Sequence, residues 1–259
     1  MYDLEDIEFA YGPKAVFQNL SLRFEAGHFY GIIGPNGCGK STLIDLLAGH
    51  LQPERGCVRL NGRPLQRLDR KTLARSIALV PQDFRINFPY TCQEIVMMGR
   101  YPYIPRFTRP GRTDRAIVDD VLKKADLDDF QSRYVDRLSG GERQRVVFAR
   151  GLAQQTPVLL LDEATASLDM HHTMAMLNLA AATVSPASLV IAVMQDINLA
   201  AMYCDRLVCM NAGAVFASGP LEQVLSAEML QAVFQVDARV ARNDYCDALQ
   251  VAFRKEVRP

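Results

Sequence analysis

The segment HFYGIIGPNGCGKSTLIDLLAG, residues 28–49, constrains the fold more than any other part of the chain. Phe29–Ile33 has the apolar run of a buried strand and Lys40–Leu47 the spacing of a helix. Between them Gly34, Gly39, Lys40 and Ser41 satisfy the pattern G-x-x-x-x-G-K-[ST]. Glycine lets the backbone curl tightly, so that successive N–H groups face phosphate oxygens. The helix that follows directs its positive end to the same place. Lys40 is then expected to reach the outer phosphates and the Ser41 hydroxyl to coordinate Mg²⁺, with Asn36, Gly37 and Thr42 completing the cradle. A chance glycine-rich turn is the competing explanation, but it would not require the strand before and the helix after. The segment is read as a nucleoside-triphosphate site.

The rest of the chain agrees with an α/β fold. Short β-branched or apolar runs alternate with helical patterns. Residues 1–30 differ: IEFAYG and SLRFEAG are strand-like, with turn residues at Gly12-Pro13 and Ala26-Gly27, and CVRLNG ends at the turn pair Asn61-Gly62. These predict a small antiparallel layer beside a mainly parallel core. From about 87 to 155 the chain is expected to be mostly helical, as in RAIVDDVLKKADL. Buried strands return at VLLLDE and SLVIAV, and DRLVCMNAGAVFASG reads as a hairpin turning at Asn211–Gly213.

PVLLLDEATASLD supplies carboxylates for the phosphate cradle. Asp162 sits at the end of the expected strand Val158–Leu161, where ligands gather in parallel sheets, and is suited to the water shell of Mg²⁺. Glu163 beside it is suited to act as general base on an attacking water. Taken alone, such a pair is as readily a solvated strand end.

Composition excludes several functions. Lys+Arg and Asp+Glu both number 29, so no global field attracts nucleic acid or an acidic membrane. No apolar run approaches the ~20 residues needed to cross a bilayer, and the acidic start MYDLEDIEF does not have the form of a secretory signal. Any membrane role is expected to come through a partner. The six cysteines are scattered without a C-x-x-C pair, which favours reduced thiols over disulfides or a metal site. His171-His172 point to different helix faces and make an improbable metal pair. The ten methionines are read as packing.

The stretch VDRLSGGERQRVVFARGLA contains LSGGE at Leu138–Glu142, which resembles the signature of the ATP-binding cassette ATPases. In that family two subunits pack head to tail, so the resemblance implies a homodimer in which Ser139, Gly140 and Gly141 of one copy face the γ-phosphate of ATP held by the other. It implies a P-loop ATPase core with a mainly parallel sheet, an N-terminal antiparallel β layer and a helical subdomain at about 87–155, forming one nucleotide-binding domain over residues 1–259. Other positions match singly. Tyr11 resembles the aromatic on which adenine stacks, although a plain strand-face tyrosine is the alternative. Gln82, in ALVPQDF, resembles the residue that touches Mg²⁺ or the water and signals to the membrane partner. Asp169, in ASLD, resembles the aspartate that crosses the dimer interface.

Within the family, GRYPY at Gly99–Tyr103, RLSGGERQRV, DINLAAMYCDRLVCMNAG and SGPLEQVLSAEMLQAVFQV are similar to ATPase subunits of bacterial importers for iron–siderophore, haem and cobalamin. The last of these segments is expected to form a turn, a helix and a strand. The implied partners are integral membrane permease subunits and, through them, a substrate-binding protein. The implied location is the cytoplasmic face of the inner membrane. YPYIPRFTRPGR packs three prolines, three aromatics and three arginines into twelve residues and is expected to be a stiff loop between helices. With Gln82–Phe88 it is a candidate rim for a short helix of the permease; an ordinary surface loop is the alternative.

One position departs from the family. The strand Leu189–Met194 runs into Gln195, where a switch histidine is expected, before an apolar-faced helix begins near Ile197. Glutamine has similar reach and donates to phosphate, but it does not titrate near neutral pH. ATP binding is therefore expected to survive and hydrolysis to be slowed. Two other classes compete. A DNA-repair or chromosome-maintenance ATPase carries a long coiled coil between cradle and signature, whereas about 98 residues and no heptads separate Ser41 from Ser139. A translation-associated member carries two cassettes in one chain. A nucleotide-binding regulator silenced by Gln195 remains a third reading.

Overall fold

The computed structural model describes residues 1–82, 84 and 88–255. Contacts divide the chain into two compact units, Met1–Arg67 with Ile191–Pro259, and Leu68–Val190.

The first unit opens with β1 (Tyr2–Tyr11) and β2 (Lys14–Phe24), an antiparallel hairpin in which Tyr11 faces Lys14 across Gly12-Pro13. β3 (His28–Ile33) leads into α1 (Lys40–Ala48), and β4 (Arg55–Leu60) turns at Asn61-Gly62 into the short β5 (Arg63–Pro64). Asn61 and Gly62 both have positive φ, 51° and 76°, as a two-residue hairpin turn requires. The antiparallel layer has the order β2-β1-β4-β5. Phe17 and Phe24 of this layer and Leu43, Leu46 and Leu47 of α1 are buried. Tyr2 is fully buried among them, and its hydroxyl donates to Leu47 O at 2.8 Å, so the polar tip is not left unpaired.

The second unit begins with α2 (Arg70–Ser76), capped by Asp69, and β6 (Ile77–Val80). Three helices follow: α3 (Cys92–Met98), α4 (Arg112–Lys124) and α5 (Gly140–Ala153). Each turns apolar residues into a shared cluster that includes Ile95, Val96, Val118, Leu122, Val146 and Ala149, with Leu127 and Val135 added by the α4–α5 connection. The amphipathic repeat of RAIVDDVLKK explains why α4 buries only Val118, Val121 and Leu122 and leaves its charges outside. Of the stretch 87–155 expected to be mostly helical, the described residues form these three helices and two short 3₁₀ turns joined by irregular connections; residue 87 lies outside the described residues. The proline- and arginine-rich stretch is a connection of turns between α3 and α4, as expected. Tyr103 anchors it, its ring lying under the guanidinium groups of Arg100 at 4.2 Å and Arg75 at 5.2 Å. β7 (Val158–Asp162), parallel to β6, and α6 (Met170–Ala181) complete the unit.

β8 (Leu189–Val193) is entirely buried and spans the division between units in sequence. Back in the first unit, α7 (Ile197–Tyr203) precedes β9 (Arg206–Asn211), which runs parallel to β3, and β10 (Ala214–Pro220), which returns antiparallel through Ala212-Gly213. The C-terminal region departs from the expected turn, helix and strand. It holds two helices, α8 (Leu221–Val224) and α9 (Ala227–Phe234), and a hairpin of β11 (Ala238–Asn243) and β12 (Ala248–Phe253). The hairpin is fastened by Asn198 of α7, whose Oδ1 accepts from Val251 N at 2.7 Å and whose Nδ2 donates to Val251 O at 3.3 Å.

Candidate functional site

In the first unit the loop between β3 and α1 owes its path to glycine. Gly34, Gly37 and Gly39 have φ of 154°, 79° and 105°, in the region that side chains avoid. A Cβ on Gly34 would lie 2.3 Å from Met210 O, and one on Gly39 would lie 2.7 Å from the Phe17 ring, so both positions are closed by space as well as by φ. Leu43 N donates to Gly39 O at 2.9 Å, starting the helix directly at Lys40. Lys40 is buried, and its Nζ donates to Gly34 O at 2.8 Å and Pro35 O at 3.1 Å, which places the ammonium inside the loop's curve. Ser41 is exposed at the first turn of the helix, beside half-buried Thr42; Asn36 and Gly37 are exposed at the loop's outer bend. Cys38 is buried there, and burial raises its thiol pKa despite the opposing pull of Lys40.

Tyr11 is half exposed at the end of β1, edge-on to Phe9 with ring centroids 4.9 Å apart. Gln195 is exposed just after Met194, whose N–H donates to Ile32 O at 3.0 Å and so prolongs the pairing of β8 with β3. Asp196 caps α7, accepting from Asn198 N at 2.8 Å and Leu199 N at 3.1 Å. Position 195 is thus held between a strand end and a capped helix start.

In the second unit β7 delivers Asp162 and Glu163, both half buried, at its C-terminal end. Glu163 has φ of 46°, a left-handed conformation that glutamate avoids, and turns the chain sharply; Ala166 N donates back to Glu163 O at 3.1 Å. Gln82, after β6, donates its Nε2 to Glu163 Oε2 at 2.8 Å. The parallel pairing of β6 and β7 brings these residues together although 81 positions separate them in sequence. Of the segment Gln82–Phe88, residues 83 and 85–87 lie outside the described residues.

The signature segment forms the start of α5. Ser139 is the N-cap: its Oγ accepts from Glu142 N at 3.3 Å, while Glu142 Oε2 accepts from Ser139 N at 2.7 Å. The Ser139 N–H is therefore taken by Glu142. That bond holds the Glu142 carboxyl below the usual carboxylate range. Gly140 and Gly141 follow; a Cβ on Gly140 would meet nothing within 4 Å. Asp169 caps α6, accepting from His172 N at 2.9 Å. The two contacts with His172, backbone first, keep its carboxyl acidic. Sequence reasoning named Glu142 only as part of a motif and gave His172 no role. The spacings S-x-x-E and D-x-x-H, each at a helix start, were the available signals.

A family model described as ABC transporter matches residues 17–166, which contain the phosphate loop, Gln82, the signature and the Asp162–Glu163 pair. The chain belongs to the ABC transporter family. Two relatives show the same kinship over most of the cassette. The hemin import ATP-binding protein of Nocardia farcinica is 41% identical over 230 residues, covering 86% of this chain and 77% of that protein. The cobalamin import ATP-binding protein of Halobacterium salinarum is 41% identical over 237 residues, 91% of this chain but 58% of that longer protein. Among solved structures, a metal-chelate type ABC transporter in an inward-facing conformation superimposes with a TM-score of 0.82 at 28% identity, over 98% of this chain and 97% of that one. A dimeric ATP-binding cassette in a post-hydrolysis state, bound to ADP and Pi, gives 0.75 at 28% identity, over 85% of this chain and 99% of that one. The cassette fold expected from sequence, with a mainly parallel sheet, an antiparallel β layer and helices, is the fold of this ABC transporter chain. No helix among the described residues is long and apolar enough to cross a membrane.

Proposed function

We propose that the chain is the ATP-binding and ATP-hydrolysing subunit of an importer for a metal chelate of the iron–siderophore, haem or cobalamin type. In this reading all 259 residues form one nucleotide-binding domain, with a helical subdomain at about 87–155. The observation that carries the reading is the loop with three left-handed glycines and Lys40 Nζ inside its curve. Such a loop binds polyphosphate through backbone N–H groups and one ammonium. Tyr11 stacks on adenine, Asn36, Gly37, Ser41 and Thr42 line the phosphates, and Glu163 takes a proton from the attacking water.

The donors Ser41, Gln82 and Asp162 fit Mg²⁺, since all offer hard oxygen: a hydroxyl, an amide and a carboxylate. Gln82 uses its amide nitrogen on Glu163, which leaves Oε1 as the acceptor to present to a cation. When bound, Mg²⁺ supplies charge neutralisation on the outer phosphates.

Ser139, Gly140, Gly141 and Asp169 act on the nucleotide of a second copy, in a head-to-tail homodimer closed by ATP. The dimer sits on permease subunits at the cytoplasmic face of the inner membrane, and a substrate-binding protein delivers the chelate. Gln195 slows hydrolysis. The similarity to import ATP-binding proteins for hemin and cobalamin supports the cargo class, and the dimeric ADP-bound cassette supports the assembly.

The test is Mg²⁺-dependent ATP hydrolysis and ATP binding by the chain and by Lys40→Ala, together with pull-down from membranes. Saturable ATP binding lost in Lys40→Ala, with capture of a polytopic membrane protein, is expected. A nucleotide-dependent regulator is the second reading, favoured by the glutamine at position 195. It predicts ATP binding without hydrolysis and without a membrane partner.

A further inference from the structure

In the second unit α5 is joined to β6 and to the chain that leaves it. Gln154, the residue that ends α5, donates its Nε2 to Ile77 O at 2.9 Å and also to Ala74 O, at the start of the strand. A Cβ on Gly151 would lie 2.8 Å from Val80 Cγ2, so glycine is what lets the helix approach the strand this closely. At the other end of the strand, Gln144 donates its Nε2 to Pro81 O at 3.3 Å.

Two of the side chains involved have no part in the proposed chemistry. Gln144 is buried in the first half of α5 and reaches the carbonyl of the residue before Gln82. Arg150, six residues further along the helix, holds its guanidinium 4.3 Å from the centroid of the Phe84 ring. Burial lowers the pKa of Arg150, and the electron-rich ring face offsets part of that desolvation. Gln82 stands between Pro81 and Phe84, and its own Nε2 donates to Glu163 Oε2 at 2.8 Å. The helix therefore grips the chain on both sides of the residue that orients the proposed base.

We propose that Gln144 and Arg150 are positioning residues for hydrolysis: from α5 they fix the chain on either side of Gln82, and so fix the amide that orients the Glu163 carboxylate. The inference rests on the ATP-hydrolysing reading given above. Neither contact involves the phosphate loop, so losing one leaves ATP binding in place and disturbs orientation, to which rates are sensitive. The same helix begins after Ser139, so the segment proposed to meet a second copy's nucleotide and the segment that orients the base share one support.

The experiment measures ATP turnover against ATP concentration in a Gln195→His background, for Gln144→Met, Arg150→Met and Arg150→Lys, each alone and combined with Gln82→Ala. Methionine is close to glutamine in length and volume, so Gln144→Met removes the donor while the packing stays; it decides the case if Arg150→Met does not fold. Expected are falls in kcat of about three- to tenfold, no larger than that of Gln82→Ala, with KM for ATP within about twofold. Arg150→Lys keeps a cation over the ring and should recover part of the loss. With Gln82→Ala already present, neither methionine variant should lower kcat further. Losses that multiply with that of Gln82→Ala, or an unchanged kcat in Gln144→Met, overturn the inference.

Backbone order parameters from NMR relaxation give a reading independent of turnover. Gln144→Met should lower them at Gln82 and Phe84 while those of 145–153 stay as they are; unchanged values at Gln82 and Phe84 overturn the link. If the Gln195→His chain hydrolyses no ATP at all, the hydrolytic reading fails, and the order parameters alone decide whether α5 holds the Gln82 segment.

Discussion

Gln82 and Glu163, 81 residues apart in sequence, are joined by a 2.8 Å hydrogen bond from the amide Nε2 to the carboxylate Oε2. The donor follows β6 and the acceptor follows β7, so the parallel pairing of the two strands brings them together. The bond occupies one oxygen of the proposed base and orients its carboxylate plane.

Removing that donor should release the base without unmaking it. Gln82→Ala is expected to lower kcat for ATP roughly tenfold while KM hardly moves, because orientation and not phosphate binding is lost. Glu163→Gln removes the base itself and should cost about 10²-fold or more. Steady-state hydrolysis of both variants checks this, and equal losses would mean that Gln82 does more than orient.

At position 195 the prediction has the opposite sign. Gln195→His restores a group that titrates near neutral pH at a site held between the end of β8 and the Asp196-capped α7. Turnover should rise, by about 10² if a general acid/base contact is regained, with ATP affinity little changed. Equal hydrolysis by both forms would mean that Glu163 positions the water without a titratable partner.

The phosphate loop, the strand ends and most turns were legible because each depends on local chemistry: left-handed φ at Gly34, Gly37 and Gly39, a positive-φ pair at Asn61-Gly62, buried runs before Glu163 and Gln195. Less legible was what depends on distant partners. The hairpin of β11 and β12 alternates weakly, and it is tied down by distant partners, Asn198 to Val251 and Glu222 to Arg242, that nothing local distinguishes. His172 was set aside as half of a histidine pair, and only the folded helix start shows its ring Nδ1 at 2.9 Å from the Asp169 carboxylate.

Two glycines separate folding from function. Gly34→Ala combines a φ of 154° with a contact of 2.3 Å to Met210 O, and should yield little soluble protein. Gly140→Ala places a methyl at a helix start where nothing lies within 4 Å. It should hold or raise thermal stability, by up to about 1 kcal/mol, because alanine is the better helix former. If the outward space at Gly140 serves a nucleotide on a second copy, the same variant should hydrolyse ATP poorly. A variant both stable and fully active would remove the signature from the proposed site.

The Ser139–Glu142 capping box makes part of the stability depend on pH. Its Ser139 N–H holds the Glu142 carboxyl below the usual range, so the fold favours the charged form. That contribution is complete above the unfolded glutamate range and fades as acid protonates the folded carboxyl below that range. Glu142→Ala should therefore cost about 1 kcal/mol in urea unfolding at pH 7, as loss of a helix cap does. The difference from the parent chain should shrink as pH falls from the unfolded glutamate range through the lower folded one, provided both still fold cooperatively there. A penalty that stays constant across that range would show that the carboxylate's charge contributes nothing and that the side chain acts by packing alone.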